Sequence, residues 1–257
     1  MNRTFHHGGR LGDAIYALYT IRALGGGTLY LSNFHYPNWD QKTILSLLPF
    51  LSYQEYIDLA LPVIKENQED ILKWVSKNVN YDLHDAELDF NPECFPEWEG
   101  IHWPGNIHIA KRYSVHFGIE WFPGSIWLTA PRTKEVDIVI HAPQRRVTDL
   151  EIFTNVINEL SKEYRVIVVG GPNDIKEWDS LLNPPIHFVQ SNMLETANWI
   201  NSATLFLGAA SSCNTIAEGL GKPRFLQLAE DCFGTNPTFI INDWAETKIL
   251  DAMRDYL

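Results

Sequence analysis

The second half of the chain alternates short apolar segments with segments of helical spacing, and this alternation limits the fold to a small class. The segments "VDIVIHA" (136–142), "RVIVVGG" (165–171) and "TLFLGA" (204–209) have the aliphatic, β-branched composition of buried strands. Between the first two, apolar residues recur at helical spacing over 149–164. Strands and helices that alternate in this way form a parallel sheet covered on both faces. We therefore predict an α/β domain of Rossmann type from residue 133 to the end.

The remaining elements of this half continue the same order. A helix is predicted in "SCNTIAEGLGKP", where Gly221 and Pro223 end it. The chain closes with an amphipathic segment that predicts a terminal helix. The other predicted elements are strands at 186–190 and 224–229, helices at 174–182 and 194–202, and the terminal helix at 243–257.

The first half is less regular but begins with the same pattern. "RTFHH" (3–7) predicts a strand, the residues after Asp13 predict a helix with one apolar face, and "TLYLS" (28–32) predicts a second strand. We therefore predict an N-terminal Rossmann-like domain over 1–132. Its other predicted elements are helices near 41–48, 65–77 and 107–117, a strand at 81–85 and a loop over 91–104.

Composition and charge exclude several classes of protein. The chain has 257 residues, 45% hydrophobic and 20% charged, as is typical of globular proteins. It lacks both an apolar run of the roughly 20 residues that span a membrane and the apolar segment of a signal peptide, so we expect a cytoplasmic protein. Its three cysteines form no CxxC pair, which disfavours a disulfide framework or a zinc site. A net charge of −12 disfavours general binding to nucleic-acid phosphates.

A glycine-rich turn follows the first predicted strand, in "HHGGRLGDAIYALYTIRALGGG" (6–27). The first N–H groups of a helix are unpaired, so such a turn favours anions. Two interpretations of Asp13 stay open: it caps its helix, or it joins Arg10 in a cleft where a hydroxyl is deprotonated. Alternation along a strand turns one of the two histidines into the core, so at most one of them is functional. We take His7 as the candidate.

Small polar residues follow a strand late in the chain, in "FLGAASSCNTIAEGLGKP" (206–223). Ser211 and Ser212 stand where hydroxyls and backbone N–H groups can hold a diphosphate, or where a small-residue turn simply caps a helix. Glu218, one turn into that helix, either binds donor hydroxyls or faces solvent.

Two more strand ends carry residues compatible with phosphate. "VVGGPND" (168–174) places Gly170 and Gly171 at a turn, and "HAPQRRVTD" (141–149) follows a strand with adjacent arginines. A guanidinium group can bind phosphate through two parallel N–H···O hydrogen bonds. A solvated loop can have the same residue composition, so this interpretation also stays open. Ligands of open parallel sheets bind at the carboxyl ends of the strands, so we predict one anion site at this edge.

These motifs resemble the GT-B glycosyltransferases, and among them the ADP-heptose:lipopolysaccharide heptosyltransferase family. "LGDAIYALYTIRAL" (11–24) is similar to the family's glycine–aspartate turn and helix, and 206–223 is similar to its late strand, turn and helix. The middle of the chain matches by element order, and much of 33–130 does not match. The resemblance implies two Rossmann-like domains facing a cleft, with the acceptor side in 1–132 and the donor side in 133–257. It also implies that the helix at 243–257 crosses back onto the first domain, although a simple terminal capping helix has the same sequence pattern.

The resemblance implies roles for individual residues. Asp13 corresponds to the catalytic base, and the late turn corresponds to the diphosphate site. Helix N-termini and guanidinium groups can neutralise the leaving diphosphate, and no DxD motif stands in a suitable setting, so we expect a metal-independent, inverting displacement without a cofactor. The implied acceptor-side residues are His7, Gly9, Arg10 and Gly12, and the implied donor-side residues are His141, Arg145, Arg146, Gly170, Gly171, Ser211, Ser212, Cys213, Asn214 and Glu218.

The chain also departs from the heptosyltransferase pattern. Ala210 and Thr215 stand where the family has an aspartate and a histidine, and Arg145 and Arg146 stand where it has a lysine. "RRVTD" and "GGRLGD" are similar to loops of GDP-fucose-dependent fucosyltransferases. These departures leave the nucleotide, the sugar and the acceptor open.

Three other functions stay open from the sequence. The first is a phage-type glycosyltransferase acting on a modified nucleobase in DNA, which the acidic charge disfavours. The second is a nucleotide-sugar epimerase or hydrolase, since sugar-nucleotide epimerases share this architecture. The third is a nucleotide-sugar-binding module without catalysis, which Ala210 keeps open. In each case the expected partner is a nucleotide sugar, without integral membrane association and with the oligomeric state unknown. The expected acceptor in a transferase is a sugar, a glycan or a modified nucleobase.

Overall fold

The computed structural model describes residues 3–8, 11–33, 41–83, 108–143, 147–183, 186–228 and 237–257, without the side chains of 41–43 and 177. The chain divides into two compact units, Met1–Thr129 and Ala130–Leu257. The sequence placed the boundary at 132/133, in the irregular segment after "SIWLTAPR".

Unit 1 contains a four-stranded parallel sheet in the order β3-β2-β1-β4. The chain moves outward from β1 to β3 and then returns to the other side of β1. The strand order therefore reverses between β1 and β4, and this reversal is the topological switch point of the sheet. The strands are β1 (Thr4–His7), β2 (Gly27–Ser32), β3 (Ile57–Val63) and β4 (Tyr81–Asp82), and the described helices are α1 (Leu11–Ala23), α2 (Gln41–Ser52), α3 (Gln68–Asn78) and α4 (Ile109–His116).

Helix α1 is buried on nearly all sides, whereas its sequence predicted a single apolar face. Every residue from Ala14 to Ile21 is buried. The segment after α4 accounts for the difference, because Trp127 Nε1 donates to the Ile15 carbonyl at 3.3 Å and Tyr19 Oη donates to the Glu120 carbonyl at 3.0 Å. A helix that is apolar all round belongs in a core.

Strand β3 was not predicted from the sequence. Its segment "IDLALPV" contains a proline, and Asp58 and Leu59 are exposed in succession, so buried and exposed residues do not alternate as in a regular strand. Pro62 lacks the N–H that a central strand needs. It is tolerated here because β3 lies at the edge of the sheet. The predicted loop at 91–104 lies outside the described residues.

Unit 2 contains a six-stranded parallel sheet in the order β10-β9-β8-β5-β6-β7. The order reverses between β5 and β8, which pair directly. The strands are β5 (Ile138–His141), β6 (Val166–Gly170), β7 (His187–Gln190), β8 (Leu205–Ala209), β9 (Arg224–Gln227) and β10 (Phe239–Ile240). The helices are α5 (Leu150–Leu160), α6 (Pro172–Asp179), α7 (Met193–Ser202), α8 (Ser212–Gly219) and α9 (Glu246–Arg254).

The core of unit 2 confirms the alternation predicted from the sequence. Its buried strands pack against the apolar faces of α5 and of the terminal helix α9, which contributes Ile249, Leu250 and Met253. Arg254 of α9 also pairs with Glu163 beyond the end of α5 at 2.8 Å. Among the residues that the structure describes, no helix has the length and apolar character needed to cross a membrane.

Candidate functional site

The switch point of the unit 2 sheet is closed by a hydrogen bond between His141 and Ser211. His141 ends β5, Ser211 follows β8, and His141 Nδ1 lies 2.9 Å from Ser211 Oγ. Ser211 also caps α8, because its Oγ accepts the N–H of Asn214 at 3.2 Å. Ser211 Oγ thus acts as an acceptor toward Asn214, and its hydroxyl hydrogen can be donated to His141 Nδ1. Two residues that the sequence assigned to the donor side are thus brought together at the edge where ligands bind.

The glycine turn after β6 joins the same edge through Asp174. Asp174 Oδ2 accepts the N–H of Gly171 at 3.1 Å and lies 3.9 Å from His141 Nε2. A Cβ atom at Gly170 would stand 2.9 Å from the Asp174 Cβ, so a side chain at Gly170 would displace the carboxylate. His141 therefore has a hydroxyl on one side and a carboxylate on the other. Asp174 is the last residue of the segment "VVGGPND", and its sequence context alone does not assign it to the site.

Gly208 permits β5 and β8 to approach at this point, and sequence reasoning missed it. A Cβ atom at Gly208 would stand 2.4 Å from the backbone oxygen of His141. The signal in the sequence was a glycine inside a strand pattern, which often marks a close backbone approach.

We expect Gly208→Ala to lower the free energy of unfolding by about 1–3 kcal/mol, because an added Cβ must push against the backbone of a neighbouring strand. Urea denaturation of the variant measures this. Gly171→Ala is the matched control at the same edge, since its Cβ would meet only Asp174 Oδ2 at 3.6 Å, an ordinary contact. Equal stabilities of the two variants would contradict the close approach at Gly208.

Cys213 lies in the first turn of α8 with its side chain buried. Burial, followed by the negative charge of Asp174, raises the pKa of the Cys213 thiol to about 12, against a smaller lowering by a hydrogen bond with Ser212. The thiol is therefore protonated at neutral pH and is no nucleophile. Ser212 and Cys213 are the first two residues of α8, so their backbone N–H groups have no acceptor within the helix.

We expect Cys213 of the native protein to resist iodoacetamide at pH 8, because the reactive thiolate is suppressed until the pH nears the raised pKa. Mass spectrometry of tryptic peptides, with and without urea, measures modification at this position alone. Complete alkylation of native Cys213 within minutes at pH 8 would contradict the burial of the thiol.

Glu218 and Asn214 of α8 both accept hydrogen bonds from a buried arginine, Arg224. Arg224 Nη1 donates to Glu218 Oε2 at 2.9 Å and to Asn214 Oδ1 at 2.8 Å, and all three residues are buried. The interpretation of Glu218 as a solvent-facing helix residue is therefore wrong. Sequence reasoning missed the pair because Arg224 is the first residue of β9, where a charged side chain is not expected to be buried.

The candidate base Asp13 is the third residue of α1. It therefore stands within the first turn, beside Gly12, and the interpretation of Asp13 as the N-cap is wrong. A carboxylate at this position is stabilised by the positive end of the helix dipole. Gly9, Arg10, Arg145 and Arg146 lie outside the described residues.

Both histidines of β1 are buried, on opposite faces of the sheet. His7 Nε2 lies 2.9 Å from the Tyr113 hydroxyl of α4. His6 places Nδ1 2.7 Å from Asp82 Oδ1 and Nε2 2.7 Å from Ser32 Oγ. His6 thus joins β1 to β2 and β4 at the switch point of unit 1. Sequence reasoning missed this set because nothing in the local pattern places β4 beside β1.

Within the described ranges, no group of three or more His, Cys, Asp and Glu side chains is arranged to hold a metal ion. The residues that the structure does bring together at the unit 2 edge are His141, Gly170, Gly171, Asp174, Ser211, Ser212 and Cys213.

No protein-family model and no curated protein matches the chain. Solved structures do match it. ADP-heptose lps heptosyltransferase II of E. coli is 11% identical with a TM-score of 0.67, covering 100% of this chain and 98% of that one. The glycosyl transferase family 9 protein of Veillonella parvula is 12% identical with a TM-score of 0.65, covering 100% and 90%. The dodecameric iron-containing heptosyltransferase TibC in complex with ADP-D-β-D-heptose is 16% identical with a TM-score of 0.55, covering 95% and 63%.

These matches extend over nearly the whole chain and establish its fold. The two parallel sheets with helices on both faces are those of the heptosyltransferase-like GT-B proteins. The resemblance read from the sequence is thereby confirmed for the fold. At these identities the likeness carries no residue role.

Proposed function

We propose that this chain is a glycosyltransferase that moves a sugar from a nucleotide-diphosphate sugar to an acceptor hydroxyl. The observation that carries the proposal is the His141–Ser211 hydrogen bond across the switch point of unit 2, at the N-terminus of α8. In a parallel sheet this point is where nucleotides bind, and a helix N-terminus beside it favours a diphosphate. The GT-B fold supports the same class of activity.

On the donor side, the diphosphate lies against the first turn of α8. The N–H groups of Ser212 and Cys213 donate to its oxygens, and the guanidinium groups of Arg145 and Arg146 balance its charge. These groups stabilise the negative charge that develops on the leaving diphosphate. Donor binding thus needs neither a cofactor nor a metal ion.

On the acceptor side, Asp13 acts as general base. Its carboxylate takes the proton of the acceptor hydroxyl while the hydroxyl oxygen attacks the anomeric carbon. The bond from that carbon to the diphosphate breaks, and its electron pair leaves with the diphosphate. Because attack and departure occur on opposite faces, the product has the inverted anomeric configuration. ADP-heptose, named with two of the matching structures, is the first donor to examine, and the first acceptor class is a sugar hydroxyl of a glycan.

Nucleotide binding tests the proposal. Thermal unfolding is followed with ADP, GDP, UDP, dTDP and ADP-heptose, because a ligand that binds only the native state raises Tm at saturation. Ser212→Glu places a carboxylate where the diphosphate lies, while a carboxylate in a first helical turn stabilises the helix itself. We therefore expect the variant to lose the shift without losing stability.

Ser76→Glu is the matched control, since Ser76 is an exposed residue of α3 in the other unit and the charge change is the same. It should keep the full shift. No shift with any of these ligands at millimolar concentration would overturn the proposal, and so would equal shifts in Ser212→Glu and the wild type.

Metal independence has its own test, because the matching TibC protein is iron-containing. Release of nucleoside diphosphate from the donor that binds is measured before and after dialysis against EDTA. We expect equal rates. A rate lost with EDTA and restored by Fe²⁺ or another divalent ion would contradict the metal-independent mechanism and leave the donor assignment standing.

A further inference from the structure

Gln227 ends β9 beside two loops of the proposed donor site. In the register of the sheet it pairs with Ala209, the last residue before the turn that holds Ser211. Its Oε1 accepts the N–H groups of Thr148 and Asp149, each at 3.2 Å. Thr148 and Asp149 immediately precede α5. One side chain therefore holds the two residues that lead into this helix, two and three positions after Arg146 in the sequence.

These contacts fix the orientation of the Gln227 amide. Two N–H donors require an acceptor opposite them, so the oxygen faces Thr148 and Asp149 and the nitrogen faces away. The residue is 0% exposed, and within the described part of the chain Nε2 has no hydrogen-bond partner. Because buried polar groups are nearly always hydrogen-bonded, a buried amide nitrogen of this kind calls for a partner.

Gln54 in unit 1 shows what a buried glutamine with a purely structural role looks like. It is 1% exposed, and its Nε2 donates to the carbonyls of Phe50 and Thr129, both at 3.0 Å. Its Oε1 accepts the Thr129 N–H at 2.9 Å. Both ends of that amide are used within the protein, whereas only the oxygen end of Gln227 is.

We propose that Gln227 is a binding residue for the donor, with Nε2 donating to an acceptor oxygen of the bound nucleotide sugar. The inference rests on the proposed function, since it takes the carboxyl edge of the unit 2 sheet as the donor site. The acceptor oxygen belongs to the diphosphate or to a sugar hydroxyl. Both are held at this edge, and both offer a lone pair to an amide N–H.

Two substitutions separate the roles of the two ends of the amide. Gln227→Glu keeps an oxygen for Thr148 and Asp149 but replaces the donor with a second, charged acceptor. Gln227→Met removes both ends while keeping the length of the side chain, and it serves if the buried carboxylate prevents folding. Gln54→Met is the matched control, because it makes the same change at a buried glutamine whose amide is fully bonded.

Isothermal titration with ADP, GDP, UDP and dTDP, and with ADP-heptose, measures the dissociation constants of all four proteins. We expect Gln227→Met to weaken binding of the ligand that the wild type binds about tenfold, and to lower the unfolding temperature as well, because Oε1 of Gln227 accepts two N–H groups that Met cannot accept. We expect Gln54→Met to lower the unfolding temperature and to leave the dissociation constant unchanged. A merely structural role for Gln227 would give the pattern of Gln54.

The ligands identify the oxygen that Gln227 contacts. If the variants bind the free nucleoside diphosphate more weakly, Gln227 contacts a phosphate oxygen. Gln227→Glu then has the larger effect, because its negative charge repels the phosphate. Weaker binding of the nucleotide sugar only indicates a sugar hydroxyl. Wild-type affinity in both Gln227 variants would overturn this inference and spare the proposed function. A wild-type protein that binds none of the probes would overturn both.

Discussion

Replacing Asp13 with Asn is expected to lower the rate of sugar transfer about 10²- to 10⁴-fold while leaving donor affinity unchanged. That range is the usual contribution of a positioned general base, and the amide cannot accept the acceptor's proton. The substitution keeps the shape of the side chain in the first turn of α1, so the helix should be retained. The rate is measured as acceptor-dependent release of nucleoside diphosphate, and the affinity is measured by titration of the donor.

Asp58→Asn is the matched control, because Asp58 is an exposed residue of β3 in the same unit. It makes the same change of charge away from the candidate base and should keep the wild-type rate. Full activity in Asp13→Asn would remove this residue from the role of base. Loss of donor affinity together with rate would instead indicate a disturbed structure, which circular dichroism detects.

Replacing Arg224 with Met is expected to lower the free energy of unfolding of unit 2 by about 3–5 kcal/mol. Side-chain exposure is only 4% for Arg224 and 8% for Glu218, so the variant leaves a carboxylate buried without its cation. Breaking one half of a buried pair has an effect of this size, because the remaining charge is poorly solvated. Urea denaturation measures the difference.

The double variant Arg224→Met with Glu218→Gln removes both charges and is expected to recover much of the lost stability. Arg165→Met is the control for an exposed pair, since Arg165 contacts Glu135 at 2.8 Å with side-chain exposures of 52% and 88%. Exposed pairs contribute about 0–1 kcal/mol. Equal losses in Arg224→Met and Arg165→Met would contradict the burial of the first pair.

The sequence predicted unit 2 better than unit 1, for a physical reason. Strands buried on both faces are short apolar runs bounded by glycine and proline, and 136–142, 165–171 and 204–209 have this form. Edge strands are more weakly marked, and β3 with its internal Pro62 was missed. The two-residue strand β10 was also missed, because two residues carry no periodic signal.

The sequence predicted that the candidate site lies at the carboxyl edge of the unit 2 sheet, but it did not predict which side chains contact one another there. Because parallel strands end on one side, His141, Gly171 and Ser211 were expected to lie near one another. The contacts themselves depend on strand order, which brings together residues that are 70 positions apart in the case of His141 and Ser211. No local pattern reports this, and for the same reason Gly208 and Gln227 were overlooked. The cytoplasmic location and the facing of two domains across a cleft stay predictions.

The burial of α1 on all sides bears on how such a protein can change its acceptor during evolution. The helix that carries Asp13 is held by the sheet, by α4 and by the segment with Trp127, so it can open only when much of unit 1 opens with it. Segments of unit 1 that do not contact α1 can therefore accept insertions and substitutions without displacing this helix. New acceptors can be recruited by altering those segments, while the helix that carries the proposed base stays anchored in the core of the unit.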